Sequence, residues 1–173
     1  AEPPPGNVVI FLGDEGTAQR SHFDNVRLNA NTGPSLIAHF PLDENGNSET
    51  FGGFVAATVD DSVTFGTAGA NGNTGTSATF DGSGIVQHEW SADLNPESFT
   101  LALWAKSEGG AGAWNSPVTS RDEQNGGPQK GYLIYDDEPG GVWTFWSGSN
   151  LGGWQILNGP AVKVGEWQHL AIS

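Results

Sequence analysis

Short apolar segments, separated by clusters of Gly, Asn, Asp and Pro, dominate the pattern of this chain. The alternation is clearest in residues 98–107, SFTLALWAKS, where every second residue is apolar (Phe99, Leu101, Leu103 and Ala105). The intervening positions are also mostly apolar, which is typical of a strand in the centre of a sheet. About a dozen segments of this kind, together with the lack of helical periodicity, predict an all-β protein.

The number of these short segments predicts a two-sheet antiparallel β-sandwich of the jelly-roll type, since many short strands in one domain pack most readily as two facing sheets. Residues 66–77, GTAGANGNTGTS, interrupt the pattern. They contain neither a charge nor an aromatic side chain, so we predict a loop there. No Lys follows these glycines and no helix begins after them, so the loop does not have the pattern of a phosphate-binding site.

The first 33 residues differ in organisation from the rest of the chain. Residues 8–30 predict a β-hairpin-like pair of strands, and the segment NANTGPS predicts a joint after it. An isolated hairpin is only marginally stable in water, so the pair must pack on the main domain or on another chain. We therefore divide the chain into an N-terminal segment, 1–33, which is the tail of a preceding module or a donor strand, and a main domain, 34–173.

The composition restricts the partners that this chain can have. Only six Lys and Arg face 20 Asp and Glu, which gives a net charge of −14 and disfavours nucleic acid as a partner. No apolar run approaches the roughly 20 residues of a membrane helix, so we expect no membrane insertion. The chain has no Cys, which excludes disulfides and thiolate metal sites. An acidic chain of this kind suits an extracellular or cell-surface protein, and its carboxylates are suitable ligands for Ca²⁺.

Five segments, in order, carry a resemblance to a known family. They extend over residues 36–173 and read LIAHFPLDENGN, SATFDGSGIVQ, NPESFTLALWAKSE, PVTSRDEQNGGPQKGYLIYDD and VGEWQHLAIS. In these segments the chain resembles the bacterial laminin-G-like domains, which have the concanavalin A-like jelly roll of lectins and glucanases. Residues 7–30, which contain FDNVRL, separately resemble the end of a preceding β-sandwich module.

The resemblance also implies an open rim at the C-terminal side of the main domain. The family usually continues past the W-x-H-x-A strand with several more strands, so we expect this domain to be incomplete at its C-terminus. An unpaired strand edge invites pairing with a further strand. Three arrangements follow. The chain is a piece of a longer polypeptide, which we favour, or its own N-terminal strands cover the rim, or those strands cover the rim of a neighbouring chain by β-strand exchange.

The sequence does not predict an enzyme. Glycoside hydrolysis needs two carboxylates at a fixed separation, and the glucanases of this fold carry theirs as E-x-D-x-x-E on one strand, a run that the chain lacks. The carboxylates of residues 14–16 and 136–138 fall in predicted turns. No G-x-S-x-G pattern is present, and the four His residues are scattered without metal-ligand spacing.

Calcium is the cofactor that the sequence favours. Ca²⁺ is bound by carboxylate, amide and backbone oxygens in loops, and the segment SRDEQNGG (120–127) offers all three. Pentraxins, distant relatives of this fold, hold Ca²⁺ with an Asp–Asn pair between the corresponding strands, and this resemblance implies Asp122 and Asn125 as ligands. Asp43 is a further candidate, although its loop lacks the order of residues that is usual in the family.

Trp114, Trp146 and Trp154 are the candidate carbohydrate-binding residues. Each lies beside a Gly-rich turn, where a ring can be exposed and pack on the apolar face of a pyranose. Trp104 and Trp167 match core positions of the family and are expected to be buried. We therefore expect a non-catalytic, Ca²⁺-assisted adhesion or carbohydrate-binding module whose partner is a glycan or a surface protein. The alternative is a structural subunit of an extracellular filament or surface layer that self-assembles by β-strand exchange.

Overall fold

A computed structural model describes residues 9–14, 20–30, 35–50, 53–109, 115–122, 129–136, 141–149 and 153–173. Their regular structure is extended, apart from one 3-10 turn at Ala92–Leu94. The strands are β1 (Val9–Asp14), β2 (Ser21–Ala30), β3 (Ser35–Phe40), β4 (Ala56–Val59), β5 (Thr64–Ala68), β6 (Thr76–Phe80), β7 (Ile85–His88), β8 (Phe99–Ser107), β9 (Asn115–Asp122), β10 (Lys130–Asp136), β11 (Val142–Ser149), β12 (Gln155–Ala161) and β13 (Gln168–Ile172). The prediction of an all-β protein is confirmed.

Within the described ranges the strands form two antiparallel sheets. Sheet A has seven strands in the order β12-β11-β10-β9-β1-β7-β4. Sheet B has the order β13-β8-β2-β6-β5, and β3 pairs with β2 beside β6. Apolar side chains of both sheets form one shared core. The predicted two-sheet antiparallel β-sandwich is therefore confirmed.

The core follows the alternation of the strands. In β8, Leu101, Leu103 and Ala105 are buried and the residues between them are half-buried, as the sequence pattern predicts. Sheet A contributes Ile134 and Trp143 from the opposite side. Full burial of one large apolar side chain stabilises a fold by about 1.5–3 kcal/mol, so these contacts hold the two sheets together. β8 lies between β13 and β2, which confirms that it is a central strand.

The two N-terminal strands lie in different sheets. β1 pairs with β9 and β7 of sheet A, whereas β2 pairs with β8, β6 and β3 of sheet B. This arrangement differs from the hairpin-like pair expected from the sequence, because each strand has partners on both of its sides and its backbone groups are bonded to strands of residues 34–173. The division of the chain at residue 33 stays a prediction.

The segment predicted as a loop over residues 66–77 is shorter than the sequence indicates. Its first residues belong to β5 and its last two to β6, and these strands pair with each other. Phe65 packs against the core, while Thr64 and Gly66 on either side of it are exposed. A strand with a single apolar side chain gives no clear alternation, which is why the pattern misses β5.

β13 has a partner on one side only among the described residues. It pairs with β8, and its inward side chains border a groove of about 200 Å³ that extends to β11 and β12. Phe145, Leu157 and Ile172 line this groove, and Leu157 is 56% exposed. Neither β1 nor β2 lies beside β13, so these two strands do not cover its free edge.

Candidate functional site

Two of the three predicted carbohydrate-binding tryptophans come together on the outer face of sheet A. The alternation of β11 places Trp143 in the core and Trp146 on the opposite face. Trp154 precedes β12, and its ring centroid lies 6.3 Å from that of Trp146, with 59° between the ring planes. Both side chains are half-buried. The pair therefore presents two tilted aromatic rings on one side of the sheet.

The ring of Trp154 packs against a residue without a side chain. A Cβ added at Gly148 would lie 3.1 Å from Cε3 of Trp154 and 2.4 Å from the carbonyl oxygen of Gln129. Strand alternation places position 148 on the same face as Trp146. The glycine therefore leaves the space in which Trp154 approaches the sheet.

Tyr135 and Arg121 extend the aromatic pair along the same face. The ring of Tyr135 meets that of Trp146 edge-on, with 5.7 Å between the centroids, and Nη1 of Arg121 donates a hydrogen bond to the Tyr135 hydroxyl. Nε1 of Trp146 donates to Oγ1 of Thr144 at 2.9 Å. The site thus combines ring faces with a guanidinium group. Alternation in GYLIYDD places Tyr135 on the opposite face of the strand from Ile134, although both side chains are buried. The neighbours of Tyr135 depend on strand register, which the sequence does not show.

Trp114, the third predicted tryptophan, lies outside the described residues.

Trp104 and Trp167 lie on the outer face of sheet B and are half-buried, so the expectation that both are core residues is wrong. Trp104 alternates with the buried Leu103 and Ala105 and therefore faces away from the core, with the ring of His169 5.1 Å from its own. The ammonium group of Lys106 lies 5.7 Å from the centroid of the Trp167 ring.

Asp43, a predicted calcium ligand, already bonds within the chain. Its Oδ1 accepts hydrogen bonds from the backbone N of Thr76 at 2.6 Å and from Oγ1 of Thr76 at 3.1 Å. These bonds tie the loop after β3 to the first residue of β6. A cation at this carboxylate would have to compete with them.

The other two predicted ligands are not brought to Asp43 by the described structure. Asp122 is the last residue of β9 in sheet A, where its backbone pairs with Lys130, and Asn125 lies outside the described residues. In the part of the chain that the structure describes, no three His, Cys, Asp or Glu side chains come together as a metal-binding group. A calcium site at Asp122 and Asn125 stays a prediction.

One row of side chains has the order of a hydroxyl–imidazole–carboxylate relay. Oγ1 of Thr79 lies 2.8 Å from Nδ1 of His22, whose Nε2 lies 2.8 Å from Oε1 of Glu108. Burial lowers the pKa of His22, and the hydrogen bond to Glu108 opposes this shift. Acyl transfer also requires donors aimed at an oxyanion. Two described cations lie near this row, Arg20 and Lys106, and Lys106 already lies 3.7 Å from Glu108 and over Trp167. We interpret the row as a hydrogen-bonded link between β2, β6 and the residue that follows β8.

Asp136 is the buried carboxylate of sheet A. It is 2% exposed and accepts hydrogen bonds from the backbone N of Asn115 at 3.0 Å and from its Nδ2 at 2.9 Å. Burial raises the pKa of Asp136, while hydrogen bonds from Ser107 and Asn115 oppose the shift. Ser107 belongs to sheet B, so this carboxyl group links the two sheets from within and does not face a substrate.

The two-sheet antiparallel sandwich is a fold that lectin-type domains have. The family model described as the concanavalin A-like lectin/glucanases superfamily matches residues 80–173, which is more than half of the chain. The chain therefore belongs to this superfamily, and the matching model is that of a laminin-G-like domain. The family resemblance drawn from the sequence is confirmed over residues 80–173. Comparisons with curated proteins and with solved structures found no match.

Laminin-G-like domains are typically non-catalytic binding modules and are commonly extracellular. Among the described residues, none forms a helix with the length and apolar character that a bilayer crossing would require.

Proposed function

We propose that the chain is a non-catalytic carbohydrate-binding module of an extracellular or cell-surface protein, and that it binds its glycan on the outer face of sheet A. The observation that carries this proposal is the pair formed by Trp146 and Trp154, whose rings lie 6.3 Å apart at the surface. Membership of the lectin/glucanase superfamily supports the same role.

The geometry of the pair suits a sugar for a physical reason. The C–H faces of a pyranose are apolar and pack on aromatic rings, whereas its hydroxyls need hydrogen-bond partners at the edge of the site. The tilt of 59° allows the two rings to contact different faces of a bent saccharide chain. Arg121, held by the Tyr135 hydroxyl, is a donor beside these rings.

Replacement of Trp154 tests the proposal. Loss of one aromatic platform removes about 1.5–3 kcal/mol of apolar contact, so we expect Trp154→Ala to weaken glycan binding by about tenfold or more. Isothermal titration with cello-, xylo- and galacto-oligosaccharides measures the affinity. Trp167→Ala, on the outer face of sheet B, is the matched control and should leave the affinity unchanged. Equal loss of affinity in both folded variants would contradict the proposed site.

Calcium at Asp122 and Asn125 is part of the proposal. The acidic character of the chain and the position of Asp122 at the end of β9 support it. We expect Ca²⁺ to raise the melting temperature of the wild-type chain and not that of Asp122→Asn, with Glu89→Gln as a control at an exposed carboxylate. A calcium response that persists in Asp122→Asn contradicts this ligand assignment.

The edge of β13 that faces no further strand among the described residues favours a second candidate function, a filament or surface-layer subunit assembled by β-strand exchange. An unpaired edge beside an apolar groove can accept an added strand, and Leu157 and Ile172 border that groove. Light scattering across protein concentrations tests this function. Assembly that disappears in Leu157→Lys, while Val164→Lys still assembles, would support it, and a monomer at all concentrations would exclude it.

A further inference from the structure

A cleft lies at one end of the sandwich, apart from the aromatic pair on sheet A. Three segments enclose it: residues 90–99 after β7, the start of β10 and the end of β11. Its volume is about 550 Å³, within the range of roughly 300–1,000 Å³ that is usual for small-ligand sites. None of the residues predicted from the sequence as binding residues lines it.

Hydrogen bonds fix the outer wall of this cleft. The hydroxyl of Tyr132 in β10 donates to the carbonyl oxygen of Leu94 at 3.0 Å, and the hydroxyl of Ser120 in β9 donates to Oδ1 of Asn95. Leu94 is only 1% exposed and anchors the 3-10 turn in the core. The wall is therefore held against sheet A before any ligand binds, which lowers the entropic cost of binding.

Two aromatic side chains give the cleft an apolar lining. Trp90 and Phe99 both line it and are half-buried. The ring of Phe99 lies 4.6 Å from that of Tyr132, so its position is fixed by the core beneath it. Half-buried rings on a fixed wall are surfaces on which the apolar face of a sugar can pack.

The floor of the cleft contains a pair of facing glycines. Gly131 of β10 and Gly148 of β11 are register partners and both line the cleft. A Cβ at position 131 would lie 1.9 Å from the carbonyl oxygen of Ser120, so a larger residue there would strain the pairing of β9 with β10. The space that a side chain would take at these two positions is filled by the carbonyl oxygens of Ser120 and Gln129, so the floor of the cleft is closely packed backbone.

The charged side chains that line the cleft indicate the chemical class of ligand it can bind. Lys130 is the cation that lines it, and it takes part in none of the ion pairs found among the described residues. The chain has only six Lys and Arg against 20 acidic residues, so a half-buried lysine without such a pair is an uncommon feature on this surface. Glu97, on the opposite wall, is exposed and offers an acceptor for hydroxyl groups.

We propose that this cleft is a second binding site and that it takes a carboxylated pyranose, a uronic acid residue of an acidic glycan. The sugar ring packs between Trp90 and Phe99, and its carboxylate pairs with Lys130. Its hydroxyls donate to Glu97 and to the serines of β11. The cleft is distinct from the Trp146–Trp154 pair, since neither ring lines it, but the two sites share Gly148, against which Trp154 packs.

Glucuronate and glucose test the site, because they share a ring and differ at C6, where one has a carboxylate and the other a hydroxymethyl group. We expect glucuronate to shift the ¹⁹F resonance of 5-fluoro-Trp90, assigned with Trp90→Phe, and glucose to bind more weakly. Removal of one charge-assisted contact should lower the glucuronate affinity of Lys130→Gln about fivefold. Lys163→Gln, at an exposed turn, removes the same charge and should leave the affinity unchanged.

Three results would overturn this inference. They are an unmoved Trp90 resonance at saturating glucuronate, equal affinity for glucose and glucuronate, and equal losses in Lys130→Gln and Lys163→Gln. Trp146→Ala separates the two sites, since it keeps the ring of Trp154 that packs on Gly148. It should leave glucuronate binding in the cleft intact even where it abolishes oligosaccharide binding on sheet A, so failure of one proposal does not imply failure of the other.

Discussion

His88, the last residue of β7, is buried beside the ring of Phe40, 4.6 Å away. It is 1% exposed, and among the described residues no hydrogen bond of normal geometry reaches either ring nitrogen, although the backbone of Val55 and Gly46 lies close by. Burial lowers the pKa of His88 to about 4, and the backbone of Val55 and Gly46 opposes this shift only in part. The imidazole is therefore neutral in the folded chain at pH values where an exposed His is already charged.

The stability of the fold should depend on this residue in acid. Because the folded chain binds the proton less readily than the unfolded chain, stability is retained above the ordinary His pKa of 6.5 and is lost as the pH falls toward 4. Between pH 7 and 4.5 the His88 contribution to the free energy of unfolding should fall by about 2 kcal/mol. Urea unfolding at both pH values measures it. His88→Leu should remove this part of the pH dependence and the exposed His169→Gln should keep it, and the same slope in both variants would contradict this account.

For single residues, the sequence predicts only some of the exposed side chains and few of their contacts. Exposure of Trp146 and Trp154 could be predicted from the neighbouring glycines, and both rings do lie at the surface. The outward position of Trp104 could not be predicted, because both faces of β8 are largely apolar. Only the packing of the second sheet decides which face of β8 is inward. Tyr135 and Arg121 were missed because their contact depends on the pairing of β9 with β10.

At the scale of elements, one glycine governs the pairing of β9 and β10. Gly131 has a φ of 94°, a left-handed conformation, and faces Arg121 in the register of the two strands. We expect Gly131→Ala to destabilise the fold by about 3 kcal/mol, since it adds a steric clash to a strained backbone. Gly66→Ala is the matched control: its φ is 77°, but a Cβ there meets nothing within 4 Å, so its cost should be about 1 kcal/mol. Chemical denaturation of both variants gives the difference, and equal costs would exclude the clash.

Most strands could be predicted from alternation and turn residues, and β5 was the exception. Phe65 is the one side chain of β5 that packs against the core, so alternation does not identify this strand. Its backbone pairing with β6 does identify it. The bulge in β2 also has no clear signal. The register with β8 shifts between Asp24 and Arg27, where Asn25 has a φ of 51°, and β2 pairs with β6 before this point and with β3 after it.

At the scale of the whole molecule, the class of fold follows from the sequence but the order of the strands does not. Nothing in residues 9–30 shows that β1 enters sheet A and β2 enters sheet B, because long-range pairing depends on partners far away in the chain. The same limit applies to the end cleft, whose walls come from three separate segments. The open edge of β13 was expected from the family resemblance, and the described strands leave that edge unpaired.

The proposed function requires that a glycan binds to the outer face of sheet A through Trp146 and Trp154. The most direct test is ¹⁹F NMR of the wild-type chain with its seven tryptophans replaced by 5-fluorotryptophan, titrated with the neutral oligosaccharide that binds best. We expect the resonances of Trp146 and Trp154 to shift together while those of Trp104 and Trp167 stay in place. Shifts of Trp104 and Trp167, with the sheet A pair unmoved, would contradict it.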